Sequence, residues 1–268
     1  MISRRPRMNL TDMPAIWSRI PEVALTMNAG GAVATVVEPY LNQVMNRAAR
    51  ELGDRNARLK NDIDIFVLQE TQHYRLHGEY DEIMYRNGYE LLKPLQLRFQ
   101  REYAEMLRSR PLLFNLAYCV GFETATLYTC NYIFGPGDVW FEGGDPRGRD
   151  LWRWHMAEEY EHRGVCHETF TALGGDYGLR MRGYFYSLGH LGKVRKHLVQ
   201  VVLQHYRETL SESERRESIR RERRMRRHMV RQVLTGGVLN VLVPGYDPMK
   251  RKPAPGVVEA LTGYPAAV

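Results

Sequence analysis

Cysteine is scarce in this chain of 268 residues: Cys119, Cys130 and Cys166 are the three. An odd number with no Cys-x-x-Cys pair argues against a disulfide framework and a zinc ribbon, and suits a reducing, cytoplasmic setting. Long apolar runs are missing as well. No stretch approaches the roughly 20 apolar residues of a membrane span, and the start, Met1-Ile2-Ser3-Arg4-Arg5-Pro6-Arg7, leads into no apolar signal core. No period-two alternation is long enough for a sheet, no segment repeats, and no Gly-x-Gly-x-x-Gly fingerprint marks a nucleotide or flavin. With 44% hydrophobic and 26% charged residues, the composition argues against disorder. An all-α globular protein is expected.

Charge of one sign is confined to one place. Between Arg215 and Arg231 stand nine arginines and two glutamates, an excess of seven that equals the whole formal charge of +7. Removing those nine from the 38 basic residues and those two from the 31 acidic ones leaves 29 of each. The basic segment therefore reads as a solvated helix face, a docking surface for an acidic redox partner such as a reductase or ferredoxin, or a peripheral contact with anionic lipid. Nucleic-acid binding lacks aromatic interleaving and a reading motif.

Residues 1–27, interrupted by Pro6, Pro14 and Pro21, read as an N-terminal arm laid over the body. Residues 28–210 read as a helical bundle, and 211–268 as an arginine-rich helix capped by Ser211, followed by a Pro- and Gly-rich tail packed on the same domain. In the bundle the spacing predicts a helix from Ala29 to Leu52, in which Pro39 makes a kink or sets the start. A second runs from an Asp54 cap to Tyr85 and is closed by Asn87-Gly88. Others span Glu90 to Leu107, Pro111 to Phe134, Arg149 to Leu173 and Leu179 to Leu210.

Across Pro111 to Phe134 the only charged residue is Glu123. A helix apolar on nearly every side is buried, and a carboxylate in its middle demands a cation or a metal. Two Glu-x-x-His motifs, Glu70-x-x-His73 and Glu159-x-x-His162, stand in separate helices. A three-residue step puts carboxylate and imidazole about 5 to 6 Å apart on one helix face, within reach of one ion. Each motif is preceded in another helix by a single carboxylate, Glu38 and Glu123. The order Glu, Glu-x-x-His, Glu, Glu-x-x-His is that of bundles holding two iron or manganese ions. Helix pairs separated by 32 residues (Glu38 to Glu70) and 36 (Glu123 to Glu159), with 53 between Glu70 and Glu123 for a crossover, fit that order. Glu158 and Glu161 are rival carboxylates, but only Glu159 stands three before His162. His77 and His155 each lie one turn from a proposed ligand, as extra ligands or as partners that orient one.

The stretches Gln69-Glu70-Thr71-Gln72-His73 with His77, Glu123-Thr124-Ala125-Thr126, and Trp152-Arg153-Trp154-His155-Met156-Ala157-Glu158-Glu159-Tyr160-Glu161-His162 resemble the predicted metal-dependent hydrolases, a branch of the ferritin-like proteins. The resemblance spans about residues 30 to 210. Glu38-Pro39 and Cys166-His167-Glu168 depart from the pattern. It implies a ferritin-like four-helix bundle with additional C-terminal helices, with metal ligands Glu38, Glu70, His73, Glu123, Glu159 and His162. Four carboxylates and two imidazoles suit two Fe ions, or Mn, or a mixed pair, and similar bundles activate O2. The expectation is thus a di-iron oxidase or oxygenase acting on a small hydrophobic substrate beside Phe122, Leu127 and Ile133. Glu123 and Glu159 would be its catalytic carboxylates, shifting between bridging and terminal binding, and an external reductase would supply electrons. The alternative is a dinuclear metal-dependent hydrolase.

Overall fold

The computed structural model describes residues 1–53, 56–235 and 238–264, with no strand among them. The helices are α1 (Pro21–Leu52), α2 (Ala57–Arg86), α3 (Leu92–Ser109), α4 (Leu112–Ile133), α5 (Pro146–His162), α6 (Val165–Ala172), α7 (Tyr177–Glu208), α8 (Glu212–Thr235) and α9 (Val257–Thr262). No described helix is long and apolar enough to cross a membrane.

The first helix begins earlier than its sequence pattern indicates. Pro21 occupies its first turn, where the missing N–H has no intrahelical acceptor to lose, so this proline opens the helix instead of ending the arm. Pro39 lies inside α1 and neither starts nor stops it. Val36, Val37, Tyr40 and Leu41 around the proline are all buried, and α1 packs along α2, so tertiary burial overrides the local cost of the lost backbone bond. Glu38 is consequently a mid-helix residue facing the core. The Asp54 cap proposed for α2 lies outside the described residues; Asn56 caps that helix, its Oδ1 accepting from the Leu59 N–H at 3.1 Å. The helix expected from Arg149 to Leu173 is two helices, broken at Arg163-Gly164. A Cβ on Gly164 would stand 2.5 Å from Met249 Sδ, so the break lets the tail pack against bare backbone.

Helices α1, α2, α5 and α4 close a ring of neighbours, with α1 laid most fully along α2 and α4 along α5. Outside the ring, α7 runs along α4 and α1, and α8 rests on α1 and α4. A capping box starts α8: Ser211 Oγ accepts from the Glu214 N–H, and Glu214 accepts from the Ser211 N–H. The basic helix is anchored by Arg221, which donates twice to the buried Glu22 carboxylate at 2.9 Å, and by Glu222, which pairs with Arg207 at 2.7 Å. Ahead of α1, Leu10, Met13 and Trp17 are buried, and Trp17 Nε1 donates to Asn28 Oδ1.

Candidate metal centre

Four helices each bring carboxylate or imidazole to one buried point. From α1 comes Glu38; from α2, Glu70 and His73, one turn apart; from α4, Glu123; from α5, His155, Glu159 and His162, on one face over two turns. Donor atoms of Glu38, His73, His155 and Glu159 lie within 4.8 Å of one another, as do those of Glu70, Glu123, Glu159 and His162. The six residues proposed from spacing are all present, together with His155.

Glu159 belongs to both groups, and its two oxygens divide between them. Its Oε1 lies 3.0 Å from His155 Nε2 and 3.6 Å from His73 Nδ1, whereas Oε2 lies 3.2 Å from His162 Nε2. Glu70 spans the same gap, with Oε1 3.2 Å from His162 Nε2 and Oε2 3.9 Å from His73 Nδ1. Glu38 Oε1 stands 3.3 Å from His155, and Glu123 Oε2 stands 3.4 Å from His162.

These donors converge without satisfying one another. Both oxygens of Glu38, Glu70 and Glu123, with Glu159 Oε2, His73 Nδ1 and His162 Nε2, are buried and make no hydrogen bond. Nine such atoms around one point would cost many kcal/mol if nothing positive lay between them, which is how a cation site looks from its ligands. The proton affinities say the same. Burial, then the neighbouring glutamates, pushes Glu70 and Glu123 well above the usual carboxylate range, and burial raises Glu38 to about 7. For Glu159 burial acts upward too, but His162 and His155 outweigh it and hold the group low. Burial would lower His155, yet its hydrogen bond to Glu159 and the nearby Glu38 carboxylate raise it to about 9. An imidazolium thus stands between two carboxylates where a metal ion would replace its proton.

Each imidazole turns one nitrogen to the centre while a partner fixes the other. His73 Nε2 meets Glu158 Oε2 at 3.1 Å, His162 Nδ1 meets Gln69 Oε1 at 3.1 Å, and His155 Nδ1 meets His77 Nε2 at 2.7 Å. Gln69 is itself oriented, donating to Glu161 at 2.7 Å and to the Ile2 carbonyl at 2.9 Å. Arg4 of the arm completes this layer, 3.3 Å from Glu158 and 2.8 Å from Glu161, while its Nε donates to the Leu261 carbonyl in α9. His77 has room only because residue 31 is glycine: a Cβ there would lie 2.5 Å from its Nδ1.

Sequence spacing treats His77 and His155 alike; the fold separates them, placing His155 among the converging donors and His77 behind it. Glu158 and Glu161 are set apart from Glu159 and directed to Arg4 and the outer face of the centre. Gln69 and Arg4 went unrecognised as orienting residues, and of the two only Gln69, beside Glu70 in the motif, offered any signal. Of the three apolar residues expected beside the site, Phe122 and Ile133 line an adjoining cavity, and Leu127 packs in the core.

A family model described as predicted metal-dependent hydrolase matches residues 2–252, nearly the whole chain. No curated protein and no solved structure matches it. Together with a buried carboxylate and imidazole centre able to hold metal, that match places the chain plainly: it belongs to the family of predicted metal-dependent hydrolases.

Proposed function

We propose that the protein is a dinuclear metal enzyme that activates O2 to oxidise a small, largely apolar substrate. The observation that carries the dinuclear reading is the division of the Glu159 oxygens between two donor groups. Glu38, His73 and His155 would hold one ion, Glu70, Glu123 and His162 the other, with Glu159 between them. Four carboxylates balance the charge of two divalent ions, and oxygen-rich shells with imidazole suit iron or manganese. Bound as ferrous iron, the pair supplies electrons for the reduction of O2.

The chain's own residues do the rest. Glu158, Gln69 and His77 fix the rings of His73, His162 and His155, so that each lone pair points inward. Phe122, Ile133, Trp152 and Met156 wall the approach to Glu38 and His155 with apolar surface and restrict water. The exposed arginines of α8, among them Arg223, Arg224 and Arg227, present a basic face suited to an acidic reductase or ferredoxin.

The family description favours a second reading, hydrolysis, in which the same ions act only as Lewis acids. One experiment separates them. Protein loaded anaerobically with Fe(II) and then given O2 should consume it in proportion to substrate lost. Turnover of esters or phosphoesters without O2, supported by zinc or manganese, would establish hydrolysis instead.

A further inference from the structure

A cavity of ≈ 210 Å³ reaches Glu38 and His155 from the outside of the bundle. Its wall is mostly apolar, with Met27, Val33, Phe122, Ile133, Trp152 and Met156, and Arg195 of α7 is the one arginine or lysine among its described lining residues. A narrower cavity of ≈ 70 Å³ lies beneath α8 and shares with the first Met27, Tyr132, Ile133, Met229 and Arg195. Arg195 therefore stands where the two meet.

Among the described residues no carboxylate, carbonyl or ring takes up the Arg195 guanidinium. The acid that lines the smaller cavity with it, Glu222, is held by Arg207 at 2.7 Å. The contrast with the molecule's other partly buried arginines is sharp: Arg180 donates to the Val241 and Val243 carbonyls, Arg4 to two glutamates, Arg221 to Glu22. A guanidinium surrounded by apolar side chains with no counter-charge costs free energy that an oxyanion offsets, and its planar fork takes carboxylate or phosphate through two parallel bonds. Burial, with no counter-charge to oppose it, accordingly holds Arg195 below its ordinary proton affinity.

We infer that the substrate is an amphiphile whose oxyanion, a carboxylate or a phosphate, docks on Arg195, with its apolar body in the cavity beside Trp152 and Phe122 and its reacting carbon directed to Glu38 and His155. This rests on the reading of the centre as catalytic. It makes Arg195 a specificity-determining residue, outside the metal shell.

The probes are octanoate, octyl phosphate and 1-octanol, titrated into the metal-loaded full chain with calorimetry or Trp fluorescence as readout. At least one anion should bind about tenfold or more tightly than the alcohol. Preference for octanoate alone identifies a carboxylic acid; preference for octyl phosphate alone, a phosphate ester. Arg195→Met should erase the preference while leaving 1-octanol affinity and metal content unchanged, and Arg195→Lys should retain part of it. Equal binding of anion and alcohol by the unaltered protein overturns the inference, even if the Met variant does not fold. So does a preference that survives Arg195→Met, because the anion would then be sitting on the metals. Binding is read without turnover, so loss of metal or of O2 consumption with the anion preference intact would count against the catalytic reading alone.

Discussion

The two halves of the centre are built from the same residue types but differ in surroundings. Glu38 and His155 face a cavity, and His155 stacks on Trp152 with ring centroids 5.6 Å apart. Glu70, Glu123 and His162 face packed core, His162 lying against Phe66 at 4.7 Å. On the proposed reading, one half would meet the substrate and the other would be shielded from it. Similar ligands can thus be given unequal tasks by what is packed behind them.

The sharpest way to break that contrast is to remove what the halves share. Glu159→Ala should lower the content from about two ions per chain to fewer than one, measured by elemental analysis; retention of one full ion would mean that the carboxylate serves a single site. Next in size, Glu38→Ala should empty the cavity-side position and abolish turnover while the shielded position keeps its ion. Loss of both would show that the halves load as one unit.

The orienting layer comes third. Glu158→Ala should weaken metal affinity about 10- to 100-fold through the freed His73 ring, and His77→Ala should do the same through His155. Glu161→Ala, one step further out, should do less. A competition titration against a metallochromic chelator reads all three. Its spacing sets Glu158 apart from the ligands, and its bond to His73 Nε2 gives it a different part, holding that ring in place.

Away from the centre, Asp81 offers a pH test. Burial pushes its carboxyl up to about 7, against the bonds that Gln96 and Thr35 donate. Folded Asp81 therefore keeps a proton that the unfolded chain releases near pH ~4. Its contribution is whole below that pH and is lost as pH rises through 7. Denaturant unfolding of Asp81→Asn should show a fall in stability between about pH 4 and 7 smaller than that of the parent by up to a few kcal/mol. Parallel curves would mean that the carboxyl is ionised in the fold.

The smallest effect is expected on α8. Neutralising Arg220, Arg223, Arg224 and Arg227 should slow reductase-supported turnover a few-fold at low salt and leave chemically reduced turnover and metal content alone. Arg221 belongs outside that set although sequence gives no reason to separate it, because removing it strands the buried Glu22.

What sequence could and could not convey follows from range. Helix existence, the all-α class and the two Glu-x-x-His faces depend on contacts three or four residues apart, and these were legible. Glu123 was legible through contrast, as a lone charge in an apolar helix. The start of α1 was not legible, because propensity speaks for an isolated helix and α1, running through Pro39, is not isolated. The difference between His77 and His155 depends on which way the α2 and α5 faces meet. The part played by Arg4 depends on a contact across 154 residues to Glu158. No local pattern encodes either.

That last contact has a consequence for timing. Arg4 is made well before its distant partners: Glu158 follows 154 residues later and the Leu261 carbonyl 257 residues later. The brace behind His73 gains its last hold, the Leu261 carbonyl on Arg4, only when α9 has been made. A nascent chain can gather the four helices earlier, but it should hold metal less tightly until then, so tight uptake belongs to a chain that already carries α9. Stalled chains that end before residue 250 would reveal this by surrendering their metal to a chelator that the full protein resists.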